Sequence, residues 1–499
     1  MAFNSSIEGR LIAPRPAGWV CHDPNYDETA CKSIKAGWND SVWRADQPGA
    51  MMNIFWGNTE SSIDAPRNVA CEQGFIPIYS VNAHNENYVS EAVKFAGQHN
   101  LRLVLNIRGT TFLIVQVGKA LLASGLTTSR ESTLRIPLSV LVAQVTKLQS
   151  AVTVGAAELW IGGYLRVACY WKVADWRTPH VYKAAKEHNA TVVGGAAPSV
   201  GAAGGWVQGG GHSPISGFYG LGVDNALQFK LVKPDGQVVT ANKCQNQDLF
   251  WALRGGGGST WGIVLDVTYK TYPPLKSSVV AMGINTTDSD KLSELSEVFL
   301  RALPEITDQG WPPRIWSSSL EFTNSTLQPI YDWVRANNGT QIQLTTSTHS
   351  TYYDMFSTYI GNGCAEAAPF WFGTRLVSRN DLATKSEELV EFIFGDGTSQ
   401  AVSFNLIGGG AISKVDPEST GLNPQWRRDA LLSWRVITAW TVNSSAEEIK
   451  QLQSNVTKAP DLGKITDLET LTKQTRLSPN GKVLFWVALR PLARDQAED

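Results

Sequence analysis

Apolar and polar positions fall into a regular order only after the first seventy residues. Residues 1–70 are rich in Gly, Pro, Asn and Trp with little periodicity, which predicts an arm laid over a larger body rather than a unit with its own core. Beyond them, Asn85-Glu86-Asn87 opens a helix, Val89, Ala92, Val93 and Ala96 share one of its faces, and His99-Asn100 closes it. An apolar strand over residues 101–105 follows. The same order recurs as a helix over 181–188 and a strand over 191–193 that ends in Gly194-Gly195. A helix-then-strand rhythm punctuated by glycine predicts an α+β domain.

Residues 227–231 alternate with period two, Pro234-Asp235-Gly236 supplies a turn and residues 237–240 return, a hairpin pattern. Residues 248–254 then fit a short helix stopped by Gly255, and 263–269 read as a buried strand before Pro273-Pro274. With 499 residues and roughly 100–200 residues per domain, two or three units are expected. The pattern divides them as an arm (1–70), a first α+β domain (71–274), a second α+β domain (275–440) and a C-terminal segment (441–499) expected to pack back on the first domain.

Composition narrows the function classes. Apolar residues make up 43% and charged residues 18% of the chain, which rules out disorder. A formal charge of -2 and no long Lys/Arg run leave no electrostatic footprint for nucleic acid or an anionic membrane. No apolar run approaches the ~20 residues of a membrane helix, and no metal site is expected. Cys21 and Cys31 close a short loop that could bridge locally, with two reduced buried thiols as the competing reading. Eight Asn-x-Ser/Thr sequons, among them Asn39 and Asn189, point to an exported glycoprotein. Against export, Met1 is followed by no basic or apolar leader, so a cytosolic product or a truncated start is expected.

Candidate chemistry lies in two glycine clusters. The first runs from Gly201 through Gly204, Gly205, Gly209, Gly210 and Gly211 to His212 and Ser213; the second is Arg254 followed by four glycines, then Gly262-Ile263. Without Cβ atoms the backbone N–H groups can approach a ligand and form an anion nest suited to a diphosphate. A single cluster reads more naturally as a tight turn, but two clusters, each followed by strand-like sequence, favour a shared ligand. Neither opens a helix as a nicotinamide site does, and no Gly-Lys-Ser/Thr follows, which removes the P-loop. Arg254 reads equally as a diphosphate cation or as a cap on the preceding helix.

The words around these clusters resemble a known family. Val200-Gly-Ala-Ala-Gly-Gly-Trp-Val-Gln-Gly-Gly-Gly-His-Ser213, Tyr219-Gly-Leu-Gly-Val-Asp224, Asn246-Gln-Asp-Leu-Phe-Trp-Ala-Leu-Arg-Gly255 and Trp261-Gly-Ile-Val264 are similar to the PCMH-type FAD-binding domain of the vanillyl-alcohol oxidase superfamily, in particular fungal oxidases like berberine bridge enzyme. Gly9-Arg10-Leu11, Cys21-His22-Asp23-Pro24 and Asn423-Pro424-Gln425-Trp426-Arg427 also resemble it. The resemblance implies an α+β fold, with a two-part FAD-binding domain and a substrate domain whose antiparallel sheet is covered by helices. It further implies FAD as cofactor, a small organic substrate (a secondary metabolite, phenol or sugar) as hydride donor, dioxygen as acceptor and an extracellular location. Gly201, Gly204, Gly205, Gly209, Gly210, Gly211, His212 and Ser213 are assigned to one side of the FAD, and Gly257, Gly262 and Ile263 to the other. His212 is a candidate flavin-side catalytic donor, with a structural hydrogen-bonding role as its rival. Substitution of Gly209 or Gly256 by Val is expected to abolish FAD retention through a blocked approach and disfavoured positive φ.

Two departures from the pattern stand out. Family members carry Gly-His-Asp, whose His is covalently bonded to the flavin, where this chain has Arg108-Gly109-Thr110-Thr111; many also carry a Cys where it has Ala196-Ala197-Pro198-Ser199. Codons permitted for residues 108–139, read in another frame, can spell the missing Gly-His-Asp segment, and residues 161–180 resemble an unspliced intron. FAD held without a covalent tether is therefore expected, and a catalytically dead, flavin-free relative or misread gene product is the alternative.

Overall fold

A computed structural model of the chain describes residues 2–40, 43–44, 47–50, 61–74, 76–83, 85–107, 121–126, 151–155, 165–167, 181–196, 200–258, 260–285, 289–308, 316–317, 328–337, 341–359, 370–394, 401–440, 444–458 and 482–491. The segments 108–120, 127–150 and 168–180, and with them the missing-tether position and most of the frame-shifted and intron-like stretches, lie outside the described residues.

The architecture is α+β. The helix Glu86–Gln98 starts where Asn85 accepts a hydrogen bond from the Tyr88 amide, and it buries Val89, Ala92, Val93 and Ala96 as the stripe predicts. It packs on a four-stranded sheet ordered Leu11–Ile12, Tyr79–Ala83, Leu121–Leu126, Arg102–Ile107, parallel except at the first pair. The N-terminal arm thus enters the first domain through a two-residue strand and through Ile7, which is buried in its core. Within that arm, Cys21 and Cys31 form a disulfide.

The strand Ile263–Tyr272 organises a second, antiparallel sheet. It is flanked by Ala151–Gly155 and by the hairpin strand Ala226–Val232, which pairs in turn with Val238–Asn242. The hairpin turn closes at Gly236, whose φ of +83° requires glycine. Helix Gln247–Leu253 follows, as expected, and leads into the second glycine loop.

After Tyr272 the chain starts a different sheet with Ser277–Asn285, paired to Gln341–His349 and to Lys482–Pro491; a further antiparallel sheet is ordered Phe370–Ser378, Ala430–Ala439, Ala401–Leu406. The helices Ser289–Asp308 and Gln328–Ala336 contribute Leu295, Leu303 and Ile330 to a core shared with Val377, Leu406 and Trp434 of the latter sheet. The C-terminal segment departs from expectation. Its described parts join the second half of the molecule, Lys482–Pro491 as a strand beside Ser277–Asn285 and Ala446–Lys458 as a helix against the Phe370–Ser378 sheet, because the backbone groups of Lys482–Pro491 pair in register with Ser277–Asn285.

Candidate functional site

The two glycine loops meet. The first contains one helical turn, Gly205–Gln208, that glycine spacing did not foretell. The Gly257 amide of the second loop donates to the Gln208 carbonyl at 3.0 Å, and a Cβ on Gly258 would stand 3.3 Å from the Gly205 Cα. Backbone thus lies on backbone, an approach that a side chain at Gly258 would crowd.

The glycines divide by what surrounds their missing Cβ. A Cβ on Gly210 (φ +116°) would lie 2.9 Å from the Leu422 side chain, and one on Gly255 (φ +109°) 2.5 Å from the same residue. Gly211 (φ +76°) packs on Gly222 at 3.0 Å, and Gly262 (φ +146°) faces the Val232 carbonyl at 2.5 Å. Protein neighbours therefore account for these four. Gly205, by contrast, meets nothing within 4 Å, and Gly257 (φ +100°) meets only the Thr260 hydroxyl, at 3.6 Å. Open space stands there. Gly209 is exposed, with the Gly205 carbonyl at 3.0 Å as the close neighbour of its virtual Cβ. The positive-φ argument for Gly209 and Gly256 does not hold, since neither has positive φ; Gly256 is instead confined by the Ala252 carbonyl beneath it.

The other sequence candidates take protein partners. Gly201 and Gly204 are buried at the loop's entry, Gly204 as the cap of the helical turn. Ser213 is fully buried, its amide donating to the Ser216 hydroxyl at 2.9 Å and its own hydroxyl accepting from the Ile215 amide, so it shapes a turn rather than facing outward. Ile263 begins a strand opposite Val232 and belongs to the core. His212 is half-buried, and its carbonyl accepts from the Trp206 indole at 3.0 Å. Arg254 resolves toward the capping reading: its Nε donates to the Phe250 carbonyl at 3.3 Å and its Nη2 to the Ser419 carbonyl at 2.8 Å, with the guanidinium over the Phe250 ring. Burial lowers its pKa, Asp224 working against that and Arg427 adding to it.

Three features escaped the sequence reading. Gln208 is 2% exposed, and its Oε1 has no hydrogen-bond partner among the described residues. Leu422, 5% exposed, is a wedge between both loops. The segment carrying it is pinned by Trp251 Nε1 to the Glu418 carbonyl (2.8 Å) and by the Gly421 amide to the Trp251 carbonyl (3.0 Å). It is pinned further by a buried fork in which Arg427 donates to both Asp224 oxygens, at 3.0 and 2.7 Å, and to Thr420 Oγ1 at 3.1 Å. Asp224 also accepts from the Leu221 amide at 2.8 Å. Two family-like words nearly two hundred residues apart are thereby joined as one structure.

A model described as an FAD binding domain matches residues 177–242, which hold the first loop and the hairpin. The chain is 33% identical over 97% of its length, and 86% of the relative's, to an uncharacterized FAD-linked oxidoreductase of Arthroderma benhamiae. The chain belongs to the fungal FAD-linked oxidoreductases. Its fold is that of the VAO-type flavoprotein MtVAO615 of Myceliophthora thermophila, with a TM-score of 0.74 at 23% identity over 97% of this chain and 86% of that one. It is also that of a berberine bridge enzyme variant described as a reticuline dehydrogenase, with a TM-score of 0.59 at 14% identity over 92% and 84%. The open space at Gly205 and Gly257 fits the FAD that membership implies. Neither the family match nor the fold favours a flavin-free relative.

Proposed function

We propose that this FAD-linked oxidoreductase holds its flavin nucleotide, without a covalent tether, against the two apposed glycine loops, and takes a hydride from a small organic substrate such as a secondary metabolite, phenol or sugar, with dioxygen as the electron acceptor. The observation that carries the reading is the junction of the loops at Gly257 and Gln208, flanked by the two glycines whose Cβ positions are open. When bound, the flavin supplies the hydride-accepting chemistry. The chain's own part is positional. Gly205, Gly209 and Gly257 let a diphosphate reach backbone, and Leu422 with the Asp224–Arg427 fork fixes the separation of the loops. Arg254, committed to Phe250 and Ser419, leaves backbone dipoles as the means of meeting the anion.

Non-covalent binding follows from the sequence, which lacks both tethering words at 108–111 and 196–199. An extracellular location is supported by the Cys21–Cys31 bridge and by exposed sequons at Asn39 and Asn189. The test is acid precipitation of the purified, flavin-loaded protein. Flavin absorbance is expected in the supernatant, and yellow protein in the pellet would refute the untethered state. A folded protein that takes up no FAD would refute the whole reading, and reduced flavin that fails to reoxidise in air would remove dioxygen as acceptor.

A further inference from the structure

We infer that Asn189 is an N-glycosylation site: its side-chain nitrogen carries an oligosaccharide, added before the first domain folds. The inference rests on the extracellular location argued above and goes beyond it by naming the residue and the order of events.

The sequon Asn189-Ala190-Thr191 lies where the helix Val181–Glu187 runs into the strand Thr191–Val192. The Ala190 amide donates to the Ala185 carbonyl at 2.8 Å and the Asn189 amide to the Lys186 carbonyl at 3.0 Å, so the helix closes in a Schellman motif with Asn189 at its left-handed position, φ +51°. The backbone makes the turn. The side chain is left exposed, with no hydrogen-bond partner among the described residues, so a sugar attached to it displaces no packed group.

The other described sequons differ. Asn4 Oδ1 accepts from the Leu11 amide at 3.1 Å, Asn455 Oδ1 accepts from Gln451 Nε2 at 2.8 Å within a helix, and Asn285 ends a strand paired on both sides. Asn39 is exposed, but Ser41 of its sequon lies outside the described residues, as do Asn324, Asn338 and Asn443.

Thr191 fixes the timing, because a transferase reads the hydroxyl two positions past the asparagine. That residue is 2% exposed, its Oγ1 accepts from the Leu275 amide at 3.0 Å, 84 residues further along the chain, and its strand pairs with Thr271 and Tyr272. Once those contacts form, the hydroxyl is out of an enzyme's reach, so the transfer precedes them. In that transfer Asn189 Nδ2 bonds to the anomeric carbon of a lipid-diphosphate-linked oligosaccharide, the carbon–oxygen bond to the diphosphate breaks with its electron pair, and the amide loses one proton.

The test secretes the full chain from a eukaryotic host behind a cleavable leader and maps its peptides before and after amidase removal of N-glycans. Residue 189 is expected to carry a glycan and to read as aspartate after the amidase, and Asn189→Gly is expected to lose one glycan step on a gel. Glycine suits the left-handed position, so bacterially made Asn189→Gly should melt with bacterially made wild type, which keeps misfolding from explaining a lost glycan. For the timing, folded bacterial protein and a peptide of residues 186–193 are each incubated with microsomal transferase and lipid-linked oligosaccharide; the peptide is expected to be modified and the folded protein not. A bare Asn189 in secreted protein would overturn the inference and leave the extracellular reading standing, and modification of the folded protein at Asn189 would overturn the order of events. A chain that folds in bacteria but cannot be secreted behind the leader would overturn the extracellular reading and this inference together.

Discussion

Two alanine substitutions at glycines of the same site should have opposite consequences. Gly205→Ala adds a methyl group in a helical turn where a Cβ meets no atom within 4 Å. Replacing glycine by alanine where the backbone tolerates it stabilises a fold by about 0.4–1 kcal/mol through the unfolded chain. Gly255→Ala must instead hold a side chain at φ +109° with its Cβ 2.5 Å from the Leu422 Cβ and 2.6 Å from that residue's backbone. Strained φ costs about 1–3 kcal/mol and overpacking about the same again, so a loss of about 2–6 kcal/mol is expected. For a chain of 499 residues each kcal/mol corresponds to about 1 °C, so flavin-free Gly255→Ala should melt about 2–6 °C below wild type, while flavin-free Gly205→Ala should melt at or slightly above it. Cofactor binding reverses the order of interest. The Gly205 methyl intrudes on the space assigned to the nucleotide and should weaken FAD binding roughly ten- to hundredfold, the equivalent of about 1–3 kcal/mol of steric cost. Thermal unfolding by tryptophan fluorescence and FAD titration read the two effects separately. Should Gly205→Ala destabilise the flavin-free fold as Gly255→Ala does, or bind FAD as wild type does, the division of the glycines into packing and ligand positions is wrong.

Further outcomes rest on other parts of the structure. Arg427→Ala leaves Asp224 buried without its fork, since the two side chains are 0% and 7% exposed; a loss of about 3–5 kcal/mol in denaturant unfolding is expected. Arg427→Lys should recover only part of that, because a single ammonium cannot reproduce two parallel bonds, and wild-type stability in Arg427→Ala would refute the role. Burial lowers the pKa of His349 from its ordinary 6.5, against an upward pull from Asp354. The folded state therefore binds fewer protons than the unfolded one below about pH 6.5, so stability falls as pH drops from about 7 toward 5. His349→Gln should flatten that slope, and an unchanged pH profile in the variant would exclude His349 as its source.

Local signals account for the elements and not for their partners. The helix Glu86–Gln98 was legible because its cap, its apolar stripe and its closing residues all lie within one short contiguous stretch, and the hairpin of Ala226–Val232 because its alternation and turn are contiguous. The role of Gly255 was only half legible. Its place at the end of Gln247–Leu253 could be read from the chain, but the leucine that demands its bareness sits far downstream, in a segment with no periodic signal of its own. Arg254 could not be decided from the sequence for the same reason, since the Ser419 carbonyl that occupies it is brought near only by tertiary folding. The strand Lys482–Pro491 illustrates a further limit: apolar alternation can mark a strand, but which sheet edge it completes depends on what the rest of the fold leaves unpaired.

The position of Leu422 explains why family-like words lie in both halves of the chain. A single apolar side chain stands where two loops would otherwise carry Cβ atoms, one loop through Gly210 and the other through Gly255, and both glycines adopt positive φ beside it. The separation of the loops is then set by the width of a packed leucine. Thr420, Gly421 and Arg427 anchor that leucine to Asp224 and Trp251 of the first domain, so it cannot withdraw without breaking a buried charge pair. Dense packing is what allows this, because an interior with few voids transmits the placement of one side chain to the backbone on either side. It follows that the separation of the loops that carry Gly205 and Gly257, where we propose that a diphosphate binds, is set by residues buried behind them. Their burial and the openness of those two glycines are two sides of one arrangement.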